Sequence, residues 1–156
     1  MTRSFYAAAL GLILAGGCAS GTGASSGQAA APAANPLEGT RWELVQFQPP
    51  DRALGARKPS DPTLYNVEFL AGGRFAMRLD CNRAMGQWVA KPTSATGGSL
   101  TFTGPAMTRA ACLRESMDTQ IGADLTRVRA YALQGDTLDF ILMDDGGVYT
   151  WRRKTQ

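Results

Sequence analysis

The sequence has no histidine, only three cysteines and little net charge. Without an imidazole, Ser-His-Asp and Cys-His catalysis and His-containing zinc sites are excluded, and histidine cannot act as a pH switch. The 16 Lys and Arg residues against 13 Asp and Glu residues leave a net charge of +3, which does not indicate a nucleic-acid partner. What is present, 156 residues of which 44% are hydrophobic, predicts one globular domain.

The amino terminus has the layout of an export signal. Arg3 precedes an apolar run from Phe5 to Ala15, and small residues follow. This run of 11 residues is well short of the roughly 20 that a membrane-spanning helix needs. We therefore expect no permanent membrane span here.

Cys18 directly follows small residues, and the stretch Leu14-Ala15-Gly16-Gly17-Cys18 resembles a bacterial lipobox with its leucine shifted by one residue. The resemblance implies a signal peptide over residues 1–17 and acyl chains on Cys18, which anchor the protein to a membrane. Because Ala19 rather than Asp follows, it also implies an outer-membrane lipoprotein facing the periplasm. The alternative is an ordinary signal peptide that leaves Cys18 as a free thiol.

Residues 18–36 form the next segment, a lipidated cysteine and its tether. After Cys18 the segment contains only Ala, Ser, Gly, Thr, Gln, Pro and Asn, so it has no large apolar side chain that could repay the entropy of ordering. We expect a flexible tether with a reach of about 25 Å.

Hydrophobic patterning starts at Leu37 and predicts an antiparallel domain. Alternation and turn residues predict strands over residues 41–47, 64–70, 74–79, 87–90, 99–102, 129–134, 137–143 and 148–153. One helix is predicted from the apolar spacing of Met117, Ile121, Leu125 and Val128.

Two details complete this prediction. Ser116 is available as the N-cap of the helix. Apolar residues on both faces of strand 137–143 predict that both faces are covered. The expected fold class is α+β, with a small antiparallel, partly barrel-like sheet packed against one main helix.

Cys81 and Cys112 are the two cysteines of the folded part. In an exported protein such a pair is expected to form a disulfide, which the loop-closure model values at roughly 3–4 kcal/mol. A redox-active pair or a metal site is the weaker alternative, because Cys-X-X-Cys spacing and further ligands are lacking.

Three segments resemble the META domain of HslJ-like bacterial lipoproteins. Residues 37–44 (LEGTRWEL) are similar to its opening L-x-G-T-x-W-x-L, residues 80–88 (DCNRAMGQW) to its C-N-x-x-x-G turn, and residues 107–112 (MTRAAC) to its T-x-x-A-C segment. The likeness implies a META domain over residues 37–154. Besides the cysteines, the matched residues are Gly39, Thr40, Trp42, Asp80, Asn82, Arg83, Gly86, Trp88 and Thr108.

The resemblance implies a compact domain with no established catalytic activity, and some relatives resemble lipid-binding pilot lipoproteins. The matched residues are interpreted as structural: Asn82 as a turn residue with left-handed backbone or a bond to its own backbone, and Gly86 as a point of close approach. Asp80 stands where many members have Gly, which makes the turn less permissive at positive φ. Whether Asp80 pairs with Arg83 or binds a partner stays open.

The favoured function is a lipid-anchored envelope protein whose META domain is a non-catalytic binding or envelope-stress module. We expect no cofactor, no metal and no nucleic acid, a membrane partner through Cys18, an envelope protein or a lipid or peptide as ligand, and a monomer. The tryptophans are expected in the core.

Two other functions are alternatives. The proline-containing loop 48–63 could act as an assembly chaperone or inhibitor. A hydrolase using carboxylates or a Ser-Lys pair is the weakest, since its candidate acids Asp136, Asp139, Asp144 and Asp145 sit in or beside predicted turns.

Overall fold

The computed structural model describes residues 35–112 and 115–155. Eight strands form a closed antiparallel barrel in which each strand pairs with the next and β1 closes onto β8. The strands are β1 (Arg41–Gln48), β2 (Tyr65–Leu70), β3 (Arg74–Leu79), β4 (Asn82–Ser94), β5 (Gly97–Met107), β6 (Val128–Gln134), β7 (Thr137–Leu142) and β8 (Val148–Arg153). The described helices are α1 (Asp118–Asp124) and short 3-10 turns at Arg52–Leu54, Pro62–Leu64 and Leu125–Arg127.

Alternation in the strands places every second residue inside the barrel. In β2, Tyr65, Val67 and Phe69 are buried while the residues between them are partly exposed. The interior is filled by aromatic rings: Phe69 meets Phe102 at 6.2 Å, and Phe140 lies 5.2 Å from Trp151 between ring centroids. Packed aromatic rings of this kind bury large apolar areas and supply much of the core.

Each end of the barrel is covered by a different segment. At one end α1 and the turn after it bury Ile121 and Leu125 in the core. At the other end Leu37 is fully buried, and Gly39 N donates to Phe69 O over 2.7 Å. The apolar face of the helix therefore closes one end of the barrel, and the first described residues close the other.

The expected antiparallel, barrel-like sheet is confirmed, and the structure changes the prediction in two details. The sheet closes completely, because β1 pairs with both β2 and β8. The helix is minor: α1 has 7 residues, and the chain continues through a 3-10 turn directly into β6 at Val128. The four apolar residues of the predicted helix face are all buried, but Val128 belongs to β6, and Ile121 and Leu125 cover a barrel end instead of a sheet face.

Two local predictions are also corrected. Met117, not Ser116, is the N-cap of α1, although Ser116 Oγ accepts a bond from Asp118 N over 3.2 Å. The outer face of β7 is not covered, since Ile141 is 38% exposed. A closed barrel needs only one buried face per strand, which the inner row of β7 supplies.

The strands β4 and β5 are longer than predicted, and the expected loop between them is the end of their hairpin. Pro92 pairs with Gly98 and Ser94 with Gly97. A Cβ on Gly98 would lie 2.2 Å from Lys91 O, so a residue without a side chain lets the two strands approach there. The Pro, Ser, Thr and Gly residues that predicted a loop thus shape a strand pair.

The export signal, Cys18 and the tether up to residue 34 lie outside the described residues, so they remain predictions from the sequence. Within the described ranges, no helix is both long enough and apolar enough to cross a membrane.

Candidate functional site

The structure joins Cys81 and Cys112 by a disulfide with their Cα atoms 5.6 Å apart. Cys81 immediately precedes β4, and Cys112 ends the segment 108–112 that leaves β5. The bond therefore fastens this segment to the end of the barrel that α1 covers. The cysteine pairing expected for an exported protein is the one observed.

Asn82 is the centre of a buried hydrogen-bond cluster beside the disulfide. Its side chain is 0% exposed. Its Nδ2 donates to Ala110 O over 3.0 Å and to Asp118 Oδ2 over 2.7 Å. Its Oδ1 accepts from Thr108 Oγ1 over 2.9 Å and from Ala110 N over 2.8 Å. Two donors and two acceptor positions are all that an amide offers, so the group is fully used.

The interpretation of Asn82 as a turn residue is therefore wrong, and Asp80 takes that conformation instead. Asp80 has φ 59°, whereas Asn82 is the first residue of β4 and bonds across the structure. Asp80 forms no ion pair with Arg83, whose side chain is exposed. Thr108 bonds to both Asn82 and Arg83, because its Oγ1 also accepts from Arg83 N over 3.0 Å.

Asp118 begins α1 and is nearly buried in this cluster. Burial opposes ionisation of its carboxyl, but hydrogen bonds from Ser116, Asn82 and Thr119 outweigh that effect and lower its pKa below the usual value. The carboxylate is therefore charged at neutral pH, and its negative charge is held at the positive end of the helix.

Two tyrosines fix α1 to the barrel. Tyr65 Oη lies 3.0 Å from Ser116 Oγ and accepts from Met117 N over 3.1 Å. Tyr149 Oη donates to Asp124 Oδ2 over 2.8 Å, and burial together with this carboxylate raises the pKa of Tyr149 strongly. Both ends of the short helix are thus bonded to the barrel, one to Tyr65 on β2 and the other to Tyr149 on β8.

A groove of about 480 Å³ opens between α1 and the chain leaving β5. It exists because β5 pairs with β6 only from Gly97 to Ser99, so the later part of β5 has α1 and its following turn on that side. The groove is lined by Pro105, Met107, Arg109, Ala110, Ala111, Asp118, Thr119, Gly122, Ala123 and Leu125.

Gly122 sets the width of this groove. A Cβ at this position would lie 2.8 Å from Met107 Sδ, so the missing side chain lets α1 approach β5. The lining is mostly apolar and also includes the Asp118 carboxylate and Arg109, which is the usual composition of a ligand-binding cleft. The motif segment 107–112 contributes one wall of this groove, whereas the wall formed by α1 and its following turn lies outside the matched segments.

The residues of the opening motif lie at the other end of the barrel. Gly39 has φ 75°. Thr40 Oγ1 donates to Leu37 O over 2.5 Å and accepts from Trp42 Nε1 over 2.7 Å. The guanidinium carbon of Arg153 lies 4.3 Å from the Trp42 ring centroid. These residues hold the end closure formed by Leu37.

The remaining motif residues belong to the barrel wall. Trp88 is buried, donates from Nε1 to Arg74 O over 2.8 Å and packs edge-on against Phe69. A Cβ at Gly86 would lie 2.8 Å from Phe75 Cε1, so the expected close approach is present. All three tryptophans are buried, as expected.

The acids considered for hydrolysis do not come together at the groove. Asp144 and Asp145 have φ 53° and 51° in the turn before β8, and Asp136 pairs with Arg153 over 3.6 Å. Asp139 lies on β7. In the part of the chain that the structure describes, no three His, Cys, Asp or Glu side chains lie close enough to hold a metal ion.

The loop 48–63 is ordered by local bonds. Phe47 and Arg57 exchange two backbone hydrogen bonds of 2.8 Å, and Arg57 Nη1 donates to Gln120 Oε1 on α1 over 2.5 Å. Two 3-10 turns lie within it, and Leu54 on the first is 74% exposed.

These features define a class of small closed barrels with a helix held over one end by a disulfide-bonded segment. The chain belongs to the META domain family, whose model matches residues 35–156. No curated protein matches the chain.

Solved structures of other proteins have a fold similar to that of this chain. An NMR structure of a protein from Burkholderia xenovorans is similar, with 22% identity and a TM-score of 0.64 over 77% of this chain and 85% of that one. The crystal structure of a DUF4847 family protein from Bacteroides vulgatus has 15% identity and a TM-score of 0.55 over 78% of this chain and 96% of that one. At these identities the likeness concerns the fold alone.

Proposed function

We propose that this protein is a lipid-anchored component of a bacterial envelope whose META domain is a non-catalytic binding module, and that the groove beside α1 is its binding site. The observation that carries the binding proposal is the fixed groove itself. One wall is held by the Cys81–Cys112 disulfide and the other by the Asn82–Asp118 bond. A site held from both sides binds with little loss of conformational entropy.

The shape and lining of the groove favour an apolar ligand segment, either from an envelope peptide or from a lipid. Its apolar lining residues include Pro105, Met107 and three alanines, and Asp118 and Arg109 are its charged residues. The acids that would serve a hydrolase lie on two turns and on β7, none of them lining the groove, which supports a binding role rather than catalysis.

The anchor is tested by labelling cells with radioactive palmitate. We expect the label in the wild-type protein and none in a Cys18→Ser variant. Equal labelling of both proteins, or no labelling of the wild type, contradicts lipidation at Cys18.

The groove is tested by placing a photo-crosslinking amino acid in living cells at Ala123, which lines it, or at Thr126, which is exposed one turn further on and does not. We expect an adduct from position 123 that position 126 does not give. An Ala123→Trp substitution combined with a crosslinker at Arg109 should abolish the adduct, because the indole fills the groove. The same adduct pattern at positions 123 and 126 would contradict a site in the groove.

The loop 48–63 offers a second candidate, an interaction site for an envelope protein, because Leu54 is exposed on an ordered turn. A Leu54→Ser variant should then lose a partner that Ala123→Trp keeps in a pull-down from envelope extract. Retention of every partner by Leu54→Ser removes the support for this function.

A further inference from the structure

The outer surface of β3 and β4 carries arginines without acidic partners. Arg78 and Arg83 are directly opposite each other in the register of these strands. Like charges in this position destabilise a sheet. Within the ranges that the structure describes, neither of them, nor Arg74 on the same surface, lies within ion-pair distance of a carboxylate. Such an arrangement is stabilised when an anion binds between the guanidinium groups.

The neighbouring acids have other contacts or stand apart. Glu68 on β2 pairs with Arg41 over 2.7 Å, and Glu43 on β1 pairs with Arg152 over 3.2 Å. Asp80 lies in the turn between β3 and β4, where its backbone oxygen accepts from Arg78 Nε over 3.2 Å while its carboxylate makes no ion pair. The surface therefore keeps a local excess of positive charge on a protein with a net charge of only +3.

An apolar pair, with Met85 exposed and Ala76 partly exposed, separates Arg78 and Arg83 from Arg74. Ala76 and Met85 are opposite each other, two register positions from Arg78 and Arg83 and on the same face, and Met85 is 61% exposed. Two adjoining hollows, of about 300 and 660 Å³, share these two residues. We call Arg74, Ala76, Arg78, Arg83 and Met85 the β3–β4 face. Its apolar centre between cationic sides fits an anionic amphiphile better than a small inorganic ion.

The first described residue lies against a strand that carries part of this face. Asn35, the first described residue, donates from Nδ2 to Ala90 O on β4 over 3.3 Å. Asn35, from which the sequence leads back to Cys18, thus lies beside the strand that carries Arg83 and Met85. Residues 19–34 separate Asn35 from Cys18, and the tether that their composition predicts would have a reach of about 22 Å. A membrane holding Cys18 lies within reach of the face.

We propose that the β3–β4 face binds the headgroups of anionic phospholipids in the membrane that anchors the protein. Arg78 and Arg83 take the phosphodiester oxygens, for which the planar guanidinium is well suited. Met85 enters the boundary between headgroups and acyl chains. The inference rests on the proposed lipid anchor, which supplies the membrane, and is independent of the groove beside α1.

The test uses the full chain carrying Cys18→Ser, so that binding does not depend on acylation. Flotation with phosphatidylcholine vesicles, with and without phosphatidylglycerol, measures the partition coefficient. We expect stronger binding to the anionic vesicles, reduced by added salt. An Arg78→Gln/Arg83→Gln double variant should bind them about 25-fold more weakly, from a factor of about five for each basic residue at an anionic surface.

The matched control is Arg52→Gln/Arg129→Gln, which removes the same charge from exposed positions on other elements. It should bind nearly as well as the parent chain. Equal weakening of both double variants means that only net charge matters and overturns the proposal. A parent chain that binds vesicles with and without phosphatidylglycerol equally well also overturns the proposal. The same holds if an acidic polypeptide displaces the bound protein and anionic lipid does not. The palmitate labelling of Cys18 reports on the anchor separately.

Discussion

Replacing Asn82 by Ala is the sharpest test of how the helix and the segment 108–112 are held. The substitution removes four hydrogen bonds and leaves Asp118 without one of its donors. At about 1 kcal/mol for each neutral bond and more for the bond to a carboxylate, the free energy of unfolding should fall by about 3–5 kcal/mol. No apolar contact compensates, because the alanine methyl leaves the amide volume empty.

The measurement is urea unfolding with the disulfide intact, followed by tryptophan fluorescence. Lys91→Ala is the matched control, since Lys91 is exposed on the same strand and should change stability by less than about 0.5 kcal/mol. An Asn82→Ala protein within about 1 kcal/mol of the wild type would refute the view that this cluster holds the fold together.

An Asn82→Asp variant adds a second check. It places a carboxylate where Nδ2 now stands 2.7 Å from Asp118 Oδ2, so the two acids repel each other at neutral pH. The loss of stability should therefore exceed that of Asn82→Ala at pH 7 and shrink as one of the acids is protonated. A pH-independent loss would contradict this explanation.

Three further predictions concern the same end of the barrel. Replacing Cys81 and Cys112 together by serine should lower the unfolding free energy by about 3–4 kcal/mol, measured by urea unfolding; an unchanged urea midpoint would show that the bond does not constrain the chain. Because the pKa of Asp118 is lower in the folded state, its contribution is complete above the unfolded value of about 3.9 and is lost as pH falls through the folded value. Asp118→Asn should flatten this acid-side loss, and an identical acid profile counts against the assignment. Tyr149→Phe leaves Asp124 without its buried donor and should cost about 1–3 kcal/mol by thermal unfolding, with no cost indicating that water replaces the hydroxyl.

The strand positions could be predicted wherever a local pattern determines them. In β2 and β3 the alternation of Val67, Phe69, Phe75 and Met77 with polar residues places one face inside, and a short Gly-rich turn joins the strands. Barrel closure could not be predicted in this way. It depends on pairing between β1 and β8, which are separated by nearly the whole domain and carry no local signal for each other.

The role of Asn82 shows the same limit at the level of one side chain. Its residue type suggests a turn, but its partners Thr108, Ala110 and Asp118 are 26 to 36 residues away. The motif indicated that these segments mattered together without indicating which atoms meet. At Asp80, where many family members have Gly, the family pattern was a local signal of the left-handed backbone that the structure shows there.

Closure of the second barrel end has a mechanical consequence. Leu37 closes the opening, and the same stretch of chain leads from Asn35 back toward Cys18. A pulling force applied along that chain loads the Asn35–Ala90 and Gly39–Phe69 hydrogen bonds before it reaches any strand pair. We therefore expect the closure at Leu37 to yield under tension before the end of the barrel that the disulfide and the Asn82 cluster hold.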